Sequence, residues 1–405
     1  MDLTRYAPLL QDNGSRLLLL VIDGVGGYPE VDRGSELESA DTPHLDRLAA
    51  EGSTGLLEPA GPGVTVGSGP GHLALFGYDP WAHDLGRGVL AAVGVGFDLQ
   101  PGDVAARGNL ATLDADGLVT DRRAGRIGDA QAAPLTERLA GRIDTVDGVE
   151  VHLRHISEHR VLVVLRGDGL DPRVADMDPQ ATGTAPLPAR PRDPAAERTA
   201  EVLDAVDAAL REALAAEEGD GGPDVLLMRG FDAVREMPDF TERTGLRAAA
   251  VASYPMYRGV ASLVGMDVLG PPRTFDEQIA LVEQHRESYD YLFVHHKYAD
   301  AAGHDGDRER KVAAIEELDA QVPDLLDAAQ ADVVAVTGDH SSPAALSGHS
   351  WHPVPVLLHG AHVGVDDART FGERACATGL IGRRPTEHLL PLMLGAAGRL
   401  AKYGA

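Results

Sequence analysis

The sequence predicts an α/β fold in which a mostly parallel sheet flanked by helices is interrupted by a smaller α+β domain. Three observations predict it. Apolar runs of strand length alternate with helix-length segments in the first and last thirds of the chain, the pattern of a parallel sheet covered on both faces. The texture changes between about residues 84 and 243, where alternating strand-like segments and a Pro-rich stretch replace that rhythm. Candidate metal ligands fall in both outer thirds, so those two parts have to meet. Residues 1–83 and 244–405 are therefore assigned to one discontinuous metal-binding domain, and 84–243 to an inserted domain.

Element by element, Arg16–Ile22 reads as a buried strand that ends at Asp23-Gly24. Thr42 reads as the N-cap of a helix with Pro43 at its first position. Ser68 follows a Gly/Pro-rich stretch, and His72–Phe76 reads as the first turns of a helix closed by Gly77. Inside the insertion, Val149–Leu153, Val161–Arg166 and Val225–Met228 read as strands. Pro172–Pro194 reads as loop and Glu197–Glu218 as an amphipathic helix. Beyond it, strands are predicted at Ala248–Ala252, Tyr291–His295, Val333–Thr337 and Val354–Leu358, with helices at Phe275–His285 and Asp307–Leu326.

The chain has 405 residues and a hydrophobic content of 43%, enough for two cores, but aromatics make up only 4%. The cores must therefore rest on Leu, Val, Ala and Ile. A net charge of −27 disfavours nucleic acid and anionic membranes as partners. An anionic substrate would then need a local basic pocket. Lys297, Lys311 and Lys402 are the only lysines, so nearly every cation is an arginine, the side chain suited to carboxylate and phosphate. One cysteine, Cys376, excludes an internal disulfide. The Leu17–Ile22 run is too short to span a bilayer and no secretory pattern opens the chain, so a cytoplasmic enzyme is expected. Oligomeric state is left open, a homo-oligomer included.

Taken alone, Asp23 reads as a turn residue; its place at the carboxyl end of a buried strand, where open α/β sheets build their sites, gives it weight. Asp300 and His304 stand four apart behind the strand Tyr291–His295, with Asp305 and Asp307 read as solvated or capping residues. The strand Val333–Thr337 delivers Asp339-His340 into a loop, and both His349 and His352 lie within reach beyond it. Carboxylates and imidazoles so placed can hold two divalent cations, and a serine among them can serve as a nucleophile. Ser68 is that serine. Arg107, Arg122, Arg123, Arg126, Arg160, Arg229 and Arg258 are the cations available for an anionic substrate.

The order of these pieces is similar to that of the alkaline-phosphatase superfamily: Asp-Gly, a serine in a Gly-rich loop followed by Leu75-Phe76-Gly77-Tyr78-Asp79-Pro80, Asp-x-x-x-His, Gly-Asp-His and His-x-x-x-Pro-Val-Pro. Within it, the chain resembles the archaeal-type 2,3-bisphosphoglycerate-independent phosphoglycerate mutases over nearly its whole length. Ala106–Thr112, Asp121–Ile127, Glu158-His159-Arg160 and Ser253–Gly259 contribute to the resemblance, with Arg258 where a lysine is common. It implies one ion held by Asp23, Ser68, Asp339 and His340, another by Asp300, His304 and His349, and Ser68 as the residue that is transiently phosphorylated. It places His349 rather than His352 at the metal and the insertion's arginines on phosphate and carboxylate. Oxygen and nitrogen ligands permit Mn2+, Zn2+ or Co2+, with Mn2+ the first expectation, and no 2,3-bisphosphoglycerate cofactor. The expected reaction is the interconversion of 3-phosphoglycerate and 2-phosphoglycerate. The alternatives are a phosphohydrolase or a mutase of another phosphorylated or phosphonate metabolite, or a binding protein with a structural metal. A sulfatase is disfavoured, because Ser68 is followed by Gly69-Pro70-Gly71-His72 and not by the x-Pro-x-Arg of that group.

Overall fold

A computed structural model describes residues 3–83, 85–217, 222–235 and 237–404. The chain divides into two compact units, Met1–Asp84 with Met237–Ala405, and Leu85–Glu236. The sequence division at 243/244 leaves residues 237–243 to the insertion. Here they lie in the first unit, where Phe240 packs on Tyr291 with ring centroids 5.1 Å apart.

The first unit is built on an eight-stranded sheet in the order Asp267–Leu269, Ala248–Ala252, Tyr291–His296, Leu17–Ile22, Val333–Thr337, Val354–Gly360, Ser53–Glu58, Gly382–Pro385. The first five strands are mutually parallel, with Leu17 opposite both Tyr291 and Val333. Leu17–Ile22 is central and buried at every position. That explains six apolar residues in a row: both faces of this strand are covered, so neither alternation nor polarity is tolerated. Leu18, Leu20 and Ile22 enter one core with Leu45, Leu48, Ile315, Leu325 and the thiol-bearing Cys376. Phe293, on the neighbouring strand, meets Phe76 edge-on, with ring centroids 4.9 Å apart. Val354–Gly360 runs antiparallel to Val333–Thr337, pairing Leu357 with Val336. Its amino end therefore lies at the edge where the parallel strands have their carboxyl ends.

The second unit is antiparallel. Val104–Leu113 pairs with Arg160–Arg166 on one side and Val225–Ala233 on the other, Val149–Ser157 extends the sheet, and Val119–Asp121 adds to the far end of Val104–Leu113. Helices Asp129–Arg142 and Glu197–Ala215 supply Leu135, Leu139, Leu203, Val206 and Leu210 to its main core. The predicted end of the second helix, Glu218, lies outside the described residues.

Two local expectations fail for identifiable reasons. The helix predicted over Asp307–Leu326 is two helices, Arg308–Asp319 and Val322–Ala329, because Pro323 cannot continue the first and starts the second. Thr42 does occupy the N-cap position of the Pro43–Ala50 helix, but its hydroxyl donates to Asp46 (3.3 Å) and caps nothing. The open amides of His44 and Leu45 donate instead to Asp319 (3.1 and 2.8 Å), a buried carboxylate from a distant helix. Asp319→Ala should therefore cost about 1–2 kcal/mol in equilibrium urea unfolding, and more than Thr42→Ala does.

Candidate metal centre

Three parallel strands and one antiparallel strand bring the predicted ligands to one edge of the sheet. Asp23 directly follows Ile22, and its amide donates to the carbonyl of His296 on the adjacent strand (2.8 Å). Asp339 and His340 follow Val333–Thr337 by one glycine. Asp300 and His304 lie on the short helix Tyr298–His304 that follows Tyr291–His296. His349 and His352 precede the inverted strand. Ser68 is the first residue of the helix Ser68–Leu75, whose N-cap is Gly67. That helix comes close because Gly71 has no side chain: a Cβ there would sit 2.5 Å from the Asp339 carbonyl oxygen.

His340 is the centre of the cluster. Its Nε2 lies 3.1 Å from Ser68 Oγ, 3.2 Å from Asp339 Oδ2, 3.5 Å from Asp23 Oδ1 and 4.0 Å from Asp300 Oδ1. Asp23, Asp339 and His340 form one group with ligand atoms close enough for a single cation, and Asp300, His340 and His349 a second. His349 Nδ1 donates to the carbonyl of Val66 (2.7 Å), which leaves its Nε2 as an acceptor 3.8 Å from Asp300 Oδ1. His304 Nε2 is 3.6 Å from the same oxygen. His352 is turned elsewhere, stacked between Tyr28 and Trp351 with its Nδ1 on Ser350 Oγ. Asp307 caps the following helix and Asp305 pairs with Arg310.

The donor set fits divalent cations. Among the described residues, Asp23 Oδ1 and Asp339 Oδ2 are buried without a hydrogen-bond partner, and both face His340 Nε2. Two orphaned carboxylate oxygens beside an imidazole nitrogen are costly unless something positive binds them. The electrostatics say the same. Burial, then the charge of Asp339, raises the Asp23 pKa well above its ordinary value, against the pull of Lys297. Burial raises Asp339 from 3.8 to about 7, although the Gly24 amide bonds to it at 3.1 Å. Burial also holds His340 neutral, its pKa well below the ordinary 6.5, helped by His349.

Two residues that hold Asp23 were absent from the sequence expectation. Tyr257 donates to Asp23 Oδ2 (2.6 Å), and the Lys297 ammonium reaches the same oxygen (3.1 Å). Burial pushes the Lys297 pKa down, but Asp23 and Asp300 more than offset it, so the lysine stays charged. Lys297 carried a signal, being one of three lysines and directly behind a buried strand. Tyr257 carried none beyond its motif.

The arginines gather elsewhere. Arg107, Arg122, Arg123, Arg126, Arg160 and Arg229 line one pocket of the second unit with Asn109, Glu158 and His159, the last two quoted in the sequence only as flanking residues. Arg107 is held down to about 10, first by burial and then by Arg229, Arg87 and Arg160. Arg122 clamps Asp178 with two bonds (3.1 and 2.6 Å), and Arg229 lies 3.7 Å from the same carboxylate. Arg258 is not in this pocket. It lies on the helix Pro255–Leu263 of the first unit, with its Nε buried and without a hydrogen-bond partner among the described residues.

The buried acids have a consequence for the metal-free protein. The raised Asp339 pKa contributes stability that is complete below 3.8 and lost as pH rises through about 7. The imidazoles of His72, His295 and His340, held neutral by burial, act in the opposite sense below 6.5. Asp339→Asn removes only the first effect. In EDTA, its melting temperature relative to the unaltered protein should therefore climb between about pH 4 and pH 7 and level off above that, as followed by circular dichroism; added Mn2+ should reverse the order.

A sequence profile described as 2,3-bisphosphoglycerate-independent phosphoglycerate mutase matches residues 49–219. The chain is 48% identical over 401 residues to a protein of Thermus thermophilus, and 45% identical over 404 residues to one of Deinococcus radiodurans. Both are named probable 2,3-bisphosphoglycerate-independent phosphoglycerate mutases, and 98% of each chain is covered. Among solved structures, the PH0037 protein from Pyrococcus horikoshii superposes with a TM-score of 0.82 at 30% identity, over 96% of this chain and 99% of that one. The cofactor-independent phosphoglycerate mutase from Thermoplasma acidophilum superposes with a TM-score of 0.74 at 29% identity, over 95% and 100%. With the α/β fold and the sheet-edge cluster in place, these likenesses bear out the resemblance read from the sequence: the chain belongs to the 2,3-bisphosphoglycerate-independent phosphoglycerate mutase family, enzymes of the isomerase class.

Proposed function

We propose that the protein interconverts 3-phosphoglycerate and 2-phosphoglycerate through a phosphoserine on Ser68, in the cytoplasm, as a step of glycolysis and gluconeogenesis. The observation that carries this reading is the Ser68 hydroxyl, at the start of a helix and 3.1 Å from His340 Nε2 in the carboxylate–imidazole cluster. Asp23, Asp339 and His340, with Ser68 beside them, would hold one divalent cation. Asp300 and His349, with His304 beside them, would hold the second, Mn2+ being the first choice. Bound there, the ions supply positive charge to the phosphoryl oxygens and lower the pKa of the serine hydroxyl.

The chain's own residues account for the rest. The first turn of the Ser68–Leu75 helix carries no side-chain cap, and its amino end would favour the charge of a phosphoryl group on Ser68. Lys297 offsets part of the carboxylate charge around Asp23. Ser68 Oγ attacks phosphorus and loses its proton; the bond from phosphorus to the glycerate oxygen breaks, and that oxygen is protonated. The neighbouring glycerate hydroxyl then attacks the phosphoserine and frees Ser68. Glycerate must stay bound between the two transfers, and water must stay out. The arginine pocket of the second unit, with Arg107 and Arg229 only partly neutralised by Asp178, supplies binding for the substrate's anionic groups. Arg258, with an unpartnered guanidinium nitrogen, is a further candidate.

A phosphorus NMR time course on 3-phosphoglycerate tests the proposal. With Mn2+, the 2-phosphoglycerate signal should grow without free phosphate, and EDTA should abolish it. Growth of free phosphate would make the protein a phosphohydrolase, and no change would point to another phosphorylated or phosphonate substrate. Ser68→Ala should lose turnover by at least about a thousandfold, as nucleophile removal does, while retaining most Mn2+ binding. An undiminished rate in that variant sinks the phosphoserine.

A further inference from the structure

We propose that Ser342 is a positioning residue that ties the two candidate metal groups together through one hydroxyl. Resting on the two-cation reading above, this adds a role for a residue that neither the motifs nor the ligand groups contain. Ser342 is fully buried. Its Oγ donates to Asp300 Oδ1 (2.8 Å) and lies 3.1 Å from His340 Nδ1.

A hydroxyl carries one proton, and a carboxylate oxygen accepts. With that proton on the bond to Asp300, the bond to the imidazole must run the other way, from His340 Nδ1–H to Ser342 Oγ. His340 is thereby fixed in the tautomer with a free lone pair on Nε2. That is the nitrogen facing Asp23 Oδ1, Asp339 Oδ2 and Ser68 Oγ. The competing tautomer would place a proton on Nε2, where Asp339 Oδ2 at 3.2 Å would accept it, and would close the nitrogen to a cation. The same hydroxyl sets the orientation of Asp300, whose Oδ1 belongs to the second group. One proton chain, His340 to Ser342 to Asp300, therefore prepares a ligand in each group.

The Ser342 backbone itself is held from three directions. Its amide donates to the Gly26 carbonyl (2.9 Å). The buried Lys311 ammonium donates to the carbonyl of Ser342 (2.9 Å) and to that of Gly26 (3.1 Å), pinning the two loops to each other. The Asp300 helix lies against this backbone at Gly303, where a Cβ would come within 2.2 Å of the Ser342 carbonyl oxygen. Outer partners that fix a ligating histidine's tautomer typically change metal affinity ten- to a hundredfold when removed.

The test uses the full chain and Mn2+ alone. In calorimetric titration, Ser342→Ala should weaken both binding steps by roughly ten- to a hundredfold, and Ser342→Thr, which keeps the hydroxyl, should restore most of the loss. The nitrogen-15 spectrum of metal-free protein, with His340 assigned by its absence in His340→Gln, should show Nδ1 protonated in the unaltered chain and Nε2 protonated in Ser342→Ala. Unchanged affinity in Ser342→Ala, weakening of one step only, or Nε2 protonation in the unaltered chain overturns the proposal. If Ser342→Ala melts in EDTA far below the unaltered protein, the spectrum of the unaltered chain and the Ser342→Thr titration decide. Failure of the unaltered protein to bind two Mn2+ would instead remove the two-cation reading on which the proposal rests.

Discussion

Three buried carboxylates lie within 4.0 Å of one neutral imidazole nitrogen, and the rest of the first unit is arranged to make that tolerable. Like charges brought out of water repel and lose hydration, so such a cluster persists only if the scaffold over-determines it. The scaffold does so with the backbone. Asp23, Asp300 and Asp339 follow three adjacent parallel strands, and the Gly24 and Asp23 amides stitch their loops to the neighbouring segments. Among the described residues, Lys297 alone brings a full positive charge into direct contact with Asp23. The cluster is thus left deficient in positive charge by its own side chains, which is the condition under which cations bind strongly.

Much of this was legible in the sequence because it is strand-borne. A buried parallel strand is an uninterrupted apolar run, and the residue after it is at the working edge of the sheet. Asp23, Asp339 and His340 needed no more than that. The antiparallel Val354–Gly360 was legible as a strand but not in direction, since apolar runs carry no arrow; the direction is what brings His349 to the site. Tyr257, Lys297 and Ser342 were not read as site residues. Their roles depend on which atom meets which across segments far apart in the chain, and no local pattern encodes that. The capping of the Pro43–Ala50 helix by Asp319 escaped for the same reason.

The arginine pocket shows the opposite case. Seven arginines were picked out by residue type and by the segments that carry the family resemblance, and the second unit gathers six of them. Arg107 and Arg229 face each other across adjacent strands, and Arg160 is the first residue of a third. Antiparallel pairing puts side chains of distant sequence on one face at close spacing, so cations can be concentrated without a motif. Arg258 broke the grouping because it belongs to a helix of the other unit.

The central strand has a consequence for how the chain acquires its shape. Leu17–Ile22 is made first, but its neighbours, Tyr291–His296 and Val333–Thr337, come from the last third. Until those segments leave the ribosome, six consecutive apolar residues have no sheet to join. The second unit pairs strands that lie within its own stretch, Leu85–Glu236, and can fold while they wait. Closing so long a loop before any reward arrives slows folding and exposes a sticky segment meanwhile. This architecture places the aggregation hazard early in synthesis, ahead of both partner strands, and gives a claim on a chaperone to the strand that ends at Asp23.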